Sequence, residues 1–334
     1  MKIKKQTVIM DFMKTIHGEQ GRTILSGIKP TGRPHIGNYF GMMKQLIDMQ
    51  NEGRVFGIIV DYHALNFIQN ADQMRELTKE LVADYLALGF DTEKNILFKQ
   101  SDVPEHTELA WIFDTIMTVP YLKRAHAYKD ALEKGEEEKI SMGTFNYPML
   151  MAADILLYSP DIIPVGQDQK QHIEFTRDTA EKFNRIYGET FKLPKEHIMK
   201  EVETVPGIDG RKMSKSYDNY ISLFADDKEI EEKVMAIVTD SKSEYPENVF
   251  YIHKLFRPVD ELDKLYEANK GKYKVLKEML IEDMKNFIRP MREKREEVVK
   301  DENLIKKVLE EGKEKARAGA GPKLAEAKRA IGVI

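Results

Sequence analysis

The chain of 334 residues contains no cysteine, which together excludes disulfides, cysteine-ligated iron–sulfur clusters, cysteine-based zinc sites and a thiol nucleophile. A reducing compartment is compatible with that lack. Long apolar runs are missing as well. The densest stretches, Val55 to Val60 and Ile162 to Val165, are strand-sized and fall short of the roughly 18 to 20 residues that span a bilayer. No membrane partner is expected. The N-terminus has lysines but only the short Val8-Ile9-Met10 apolar run, without the longer core and small-residue cleavage site of a secretory signal. Cytoplasm is therefore the expected location. A basic excess is absent too: Lys+Arg 52 against Asp+Glu 56 gives −4, which argues against general coating of nucleic acid.

What is present is globular. With 42% hydrophobic and 32% charged residues, the composition lies far from disordered or collagen-like chains. The length suits two to three domains at roughly 100 to 200 residues each. Charge is unevenly spread: residues 264–334 hold 19 Lys+Arg and 13 Asp+Glu, a net +6, which leaves −10 for residues 1–263. Such a basic tail fits either a polyanion-facing surface or an ordinary solvated helical one.

Along the chain, strands and helices alternate. Thr23 to Ile28 reads as a strand closed by Lys29-Pro30-Thr31-Gly32, with a helical pattern resuming at Asn38. Val55 to Val60 is apolar without alternation, the pattern of a strand buried on both faces of a parallel sheet. Met74, Leu77, Leu81, Tyr85 and Leu88 mark a helix that Gly89 ends. Ile96 to Phe98 and Ile162 to Val165 offer further strands, with helices expected near 105–117, 149–158 and 168–186. Lys129 to Lys139 reads as a mobile charged insertion. This predicts an α/β fold, a doubly wound parallel sheet. From Asp226 onward only Lys/Glu-rich helical patterns remain, interrupted by Pro246, Pro258 and Pro290, and a last Ala/Lys-rich helix is interrupted by Gly319, Gly321 and Pro322. The expected divisions are an N-terminal extension (1–22), a Rossmann-like catalytic domain (23–217) and a C-terminal all-helical region (218–334) whose last helix packs back on the catalytic domain.

Three clusters carry chemistry. The first, Pro30-Thr31-Gly32-Arg33-Pro34-His35-Ile36-Gly37-Asn38, lies where a strand feeds a helix, and helix N-termini beyond strand ends expose N–H groups suited to phosphate. A tight turn with a surface histidine is the competing reading. The second, Gly210-Arg211-Lys212-Met213-Ser214-Lys215-Ser216, has the composition of a loop that folds over a triphosphate, or of a solvated basic loop. The third runs from Tyr147 to Tyr158 and from Val165 to His172. Asp154 is the one anion in its apolar helix, so it either finds a partner or receives a ligand's donor.

HIGN followed by KMSKS resembles the class I aminoacyl-tRNA synthetases, in which the two motifs hold ATP from opposite sides. The YPMLMAADILLY and VGQDQKQH segments are similar to the tryptophanyl-tRNA synthetases. The resemblance implies that His35, Asn38, Lys212 and Lys215 act in catalysis. It also implies that Lys29, Pro30, Thr31, Gly37, Gly166, Gln167, Asp168, Val205, Met213, Ser214 and Ser216 line the ATP site. Asp154 would accept the indole N–H of tryptophan, with Tyr147, Met151, His63, Val60, Val165 and Gln169 around the ring. Indole is a donor only, so a slot that reads it needs one acceptor and apolar walls. Implied partners are L-tryptophan, ATP with Mg2+ on its phosphates, tRNA(Trp) and a second copy of the chain, met through the segment Trp111 to Tyr128. No protein-held metal is implied. The alternatives are a tyrosyl-tRNA synthetase, or a synthetase-like nucleotide-binding protein that does not charge tRNA.

Overall fold

The computed structural model describes residues 21–133, 135, 138, 140–166, 169–198, 204–239 and 245–334. Strand β1 (Thr23–Ile28) leads through the Lys29 to Pro34 loop into α1, residues 36–49, which contains a π-helical turn at Tyr39–Met43. β2 (Arg54–Ile59), α2 (Asp61–Ala64), α3 (Ala71–Ala87) and β3 (Ile96–Lys99) follow. Next come α4 (Glu105–Ile116), α5 (Val119–Leu122), α6 (His126–Glu133), α7 (Met142–Leu156), β4 (Ile163–Val165), α8 (Lys170–Tyr187) and β5 (Glu196–Ile198). Among the described residues, five helices follow: α9 (Asp227–Met235), α10 (Glu247–His253), α11 (Val259–Ala268), α12 (Tyr273–Lys300) and α13 (Glu302–Ala330).

β1, β2 and β3 pair in parallel, as do β4 and β5. A parallel bridge from Ile24 to Ile162 joins the two groups, giving the order β3-β2-β1-β4-β5. The chain reverses direction of progress between β1 and β4, the place where α/β sheets open a crevice beyond their strand ends. Apolar Val55, Phe56, Ile58 and Ile59 of β2 are all fully buried, because helices cover both faces of this central strand. The expected doubly wound sheet is present, with β5 as a strand whose charged residues concealed it.

The helical part departs from the sequence reading in one respect. Pro290 and Pro322 lie inside continuous helices instead of interrupting them, and Pro148 likewise sits within α7, which starts at Met142, earlier than expected. Tertiary packing outweighs the cost of roughly 3 kcal/mol that proline imposes on a helix interior. Pro246 and Pro258, by contrast, stand at the N-caps of α10 and α11. Lys129 to Glu133 closes α6, and part of the remaining charged segment lies outside the described residues, as do residues 1–20 of the expected extension.

α13 packs against β3 of the sheet. A Cβ on Gly312 would stand 1.9 Å from the Leu97 carbonyl oxygen of β3, so only glycine admits this approach. Ala316, Ala320, Leu324 and Ala327 then join the core beneath α4 and α7. α12 lies on α3 through the buried Arg295, whose Nε donates to Asp84 Oδ1 at 2.5 Å.

Candidate active site

Beyond the strand ends, the structure brings together residues from three sequence regions. Val60 follows β2 directly and His63 lies in α2; Tyr147, Met151 and Asp154 belong to α7; Val165 closes β4, with Gly166 and Gln169 just after it. Val60, Val165, His63 and Asp154 are buried, whereas Tyr147 and Met151 are partly so. Gln167 and Asp168 lie outside the described residues.

Asp154 is only 4% exposed, yet it is fully engaged. Its Oδ1 accepts from Gln100 Nε2 at 2.7 Å and from His106 Nδ1 at 2.6 Å. Oδ2 accepts from His63 Nε2 at 3.0 Å and from Gln100 Nε2 at 2.9 Å. Burial alone would raise the carboxyl's pKa, but the hydrogen bonds and charge of His106 and His63 hold it well below the usual carboxylate range. An acceptor stripped of water and kept ionised is the result. Gln100 and His106, from the turn after β3 and the first turn of α4, were not anticipated. Nothing in the QSDVPEH sequence announces that it meets α7; a polar pair just past a strand end is the signal that was available.

Tyr147 carries its hydroxyl 3.1 Å from both ring nitrogens of His172. Its ring centroid lies 6.2 Å from that of His63, nearly edge-on. Burial, then the nearby Asp130, pushes the phenol up to about 12, so it stays neutral.

The other end of the candidate site is assembled from two loops. His35 caps α1: its Nδ1 accepts from the Asn38 N–H at 3.2 Å, and Asn38 Oδ1 accepts from the His35 N–H at 3.1 Å, a reciprocal capping box. His35 and Asn38 therefore hold each other. A Cβ on Gly37 would sit 3.0 Å from His35 Nδ1, so the glycine makes room for the histidine ring. Burial, then Lys215, lowers the His35 imidazole to about 4, which leaves it neutral at pH 7. Lys29 places its ammonium 5.0 Å from the Phe67 ring centroid, beside a cavity of about 200 Å³ that Thr31 also lines. Pro30 is buried behind them.

The second loop turns back on itself. The Met213 N–H donates to the Val205 carbonyl at 3.0 Å, and both side chains pack with Ile36, Ile221 and Leu223. Val205, expected to line the ATP site, has its side chain in this cluster. Ser214 Oγ accepts from the Ser216 N–H, closing a tight turn. Asn219, buried and unnoticed in the sequence, accepts from the Ser214 N–H at 2.8 Å and donates to the Lys212 carbonyl at 3.1 Å. It also donates to Asp209 at 2.7 Å. The loop's shape rests on this one amide. Lys215 then crosses to the first loop, donating to the Thr31 and Gly32 carbonyls at 3.1 and 2.9 Å, while Lys212 is exposed. The Ile36 N–H donates to the Ile221 carbonyl at 3.1 Å, so a second link docks the two loops.

In the basic C-terminal region, Arg289 and Arg292 both pair with Asp227 at 2.8 Å. Arg295 is buried against Asp84. These guanidiniums tie α12 to α9 and α3, because each found an acidic partner distant in sequence.

The family profile described as tRNA synthetases class I (W and Y) matches residues 19–297. A tryptophan–tRNA ligase of Fusobacterium nucleatum is 47% identical over 320 residues, covering 93% of this chain and 98% of that protein. One from Rhodopirellula baltica is 42% identical over 319 residues, covering 93% and 99%. The crystal structure of the Campylobacter jejuni tryptophanyl-tRNA synthetase complexed with ADP and tryptophan superposes with a TM-score of 0.86 at 38% identity, covering 93% of this chain and 99% of that one. With two interlocked motif loops and a buried carboxylate at the crevice of a 3-2-1-4-5 sheet, the chain belongs to the class I tRNA synthetases of the tryptophan and tyrosine branch.

Proposed function

We propose that the chain activates L-tryptophan with ATP and transfers it to tRNA(Trp), the reaction of a tryptophan–tRNA ligase. The observation that carries this reading is Asp154, a buried ionised acceptor beside Val60, Val165, Met151 and Tyr147. An indole N–H is a donor that such a slot rewards, and its bicyclic ring fills the apolar walls. Relatives of nearly full length that act as tryptophan–tRNA ligases support it.

In the first step a tryptophan carboxylate oxygen attacks the α-phosphorus of ATP. The bond to the bridging oxygen breaks, and pyrophosphate leaves with the electron pair. The substrate supplies the nucleophile, so the protein's part is to position the reactants and stabilise charge. Lys215, now on two backbone carbonyls, exchanges them for phosphate oxygens, and exposed Lys212 approaches from the same loop. Burial lowers the Lys215 pKa from its ordinary value, the direction expected of a cation kept for an anionic ligand. His35 and Asn38 present the first turn of α1 from the opposite side, with Lys29, Pro30, Thr31, Gly37 and Gly166 lining the nucleotide. Gln167 and Asp168 belong to the same proposed lining. In the second step a ribose hydroxyl of tRNA takes the acyl group and AMP leaves. In this reading Mg2+ enters on the ATP phosphates.

Residues 23–217 carry the chemistry in this reading, and the helical residues 218–334 meet the tRNA. The protein works as a cytoplasmic homodimer through the face around Trp111, which is 70% exposed. Among the described residues no helix is long and apolar enough to cross a membrane. The test is ATP–pyrophosphate exchange with each of the twenty amino acids. Exchange with tryptophan alone is expected, and exchange with tyrosine alone would replace the reading.

A further inference from the structure

We infer that Gln100, His106 and Tyr158 form a buried relay that aligns the Asp154 carboxylate as an acceptor, making them positioning residues for the choice of an indole ring. The inference rests on the proposed reading of the slot and adds the residues that make Asp154 selective.

The geometry has a direction. An ionised carboxylate only accepts, so His106 Nδ1 must carry the proton in its 2.6 Å bond to Oδ1. The other ring nitrogen lies 2.9 Å from the Tyr158 hydroxyl, which can serve it as donor or as acceptor. Tyr158 thus fixes the orientation of the His106 ring, and His106 fixes Asp154. All of this is inside the protein: His106 is fully buried and Tyr158 only 6% exposed.

Gln100 supplies an independent sign. It is fully buried and aims its amide nitrogen at both Asp154 oxygens, at 2.7 and 2.9 Å. Its Oε1 is buried with no hydrogen-bond partner among the described residues. An orphaned buried acceptor costs about 1 to 3 kcal/mol. A side chain chosen for stability alone would be apolar here. The amide is retained for its donor end, which is useful only if the orientation of Asp154 matters. His63 is the remaining donor and stands edge-on to the Tyr147 ring, so in the proposed reading an indole N–H would share Oδ2 with it while the relay holds Oδ1.

The experiment compares ATP–pyrophosphate exchange with L-tryptophan and with L-3-benzothienylalanine, which keeps the bicyclic shape and has sulfur in place of the N–H. The unaltered chain should prefer tryptophan by about tenfold or more in kcat/KM, the scale of a charge-assisted hydrogen bond. Activation of tryptophan without that preference would remove the reading of Asp154 as an indole acceptor, and the relay with it. Where the preference is present, His106→Leu should reduce it about tenfold by raising KM for tryptophan, with KM for ATP unchanged. His106→Asn, whose amide N–H stands near the place of Nδ1–H, should restore most of the preference. Tyr158→Phe keeps the ring and should cost a few-fold. The relay is overturned if His106→Leu keeps the full preference, or if His106→Asn is no better than His106→Leu. Should His106→Leu fail to fold, Tyr158→Phe decides: an unchanged preference overturns the proposal.

Discussion

At the Asp154 end of the candidate site, a single carboxylate takes hydrogen bonds from three side chains, and two of those donors are fully buried. At the other end, Lys215 is tied to two backbone carbonyls, and its neighbour Lys212 is exposed. In the proposed reaction the difference follows from what each end must do. A ring is recognised by an acceptor that does not yield, because any slack in Asp154 would let other donors compete. A triphosphate must be gripped during the reaction and its pyrophosphate released afterwards, so the charges there need somewhere else to rest. Capping contacts such as those of His35 and Asn38 keep the nucleotide end ordered without consuming the cations.

That contrast is sharpest in kinetics. Lys215→Ala should lower the rate of adenylate formation by about 100-fold to 1,000-fold, the scale seen when one stabilising group is removed from a developing charge. Tryptophan affinity should barely change, which single-turnover measurement would separate from chemistry. A raised tryptophan dissociation constant with an unaltered chemical step would put Lys215 at the wrong end.

Asp154→Ala should act the other way round, raising KM for tryptophan by about tenfold to a hundredfold, with KM for ATP little altered. Asp154→Asn retains a carbonyl oxygen but loses the charge and turns a donor toward His63 or His106. It should therefore fall between the alanine variant and the unaltered chain. Steady-state exchange over both substrates would show it, and equal activity of Asp154→Ala and the parent would break the comparison.

The smallest effect is on stability. His35 is held neutral down to about pH 4, against about 6.5 for a free imidazole. The unfolded chain therefore binds the extra proton first, and the stability present above pH 6.5 is lost as pH falls from there toward 4. His35→Asn keeps an N-cap acceptor without the titration. Thermal unfolding at pH 7 and pH 4.5 should show a smaller loss for the variant than for the parent.

Much of this architecture was legible in the residues themselves. β1, β2 and β3 announced themselves because apolar runs of strand length between turn residues have few other uses, and Gly89, with φ +93°, ended its helix as read. Local motifs were legible for the same reason: HIGN opens a helix and KMSKS closes a tight turn, each within a few residues. Proline misled within α7, α12 and α13, since a local penalty was outweighed by packing that the sequence does not display. The partner of Arg295, Asp84, is 211 residues away, a pairing that neighbouring residues do not signal.

The sequence by itself determined that the chain would build a parallel sheet with phosphate-suited loops at its strand ends, since period, turn chemistry and motif spacing are properties of neighbouring residues. Tertiary structure alone decided which groups surround Asp154, that Lys215 bridges two loops 183 residues apart, and that Gly312 admits α13 to the edge of β3. Each of these depends on atoms brought within hydrogen-bond or van der Waals range by the fold, and such distances are written nowhere in the order of residues.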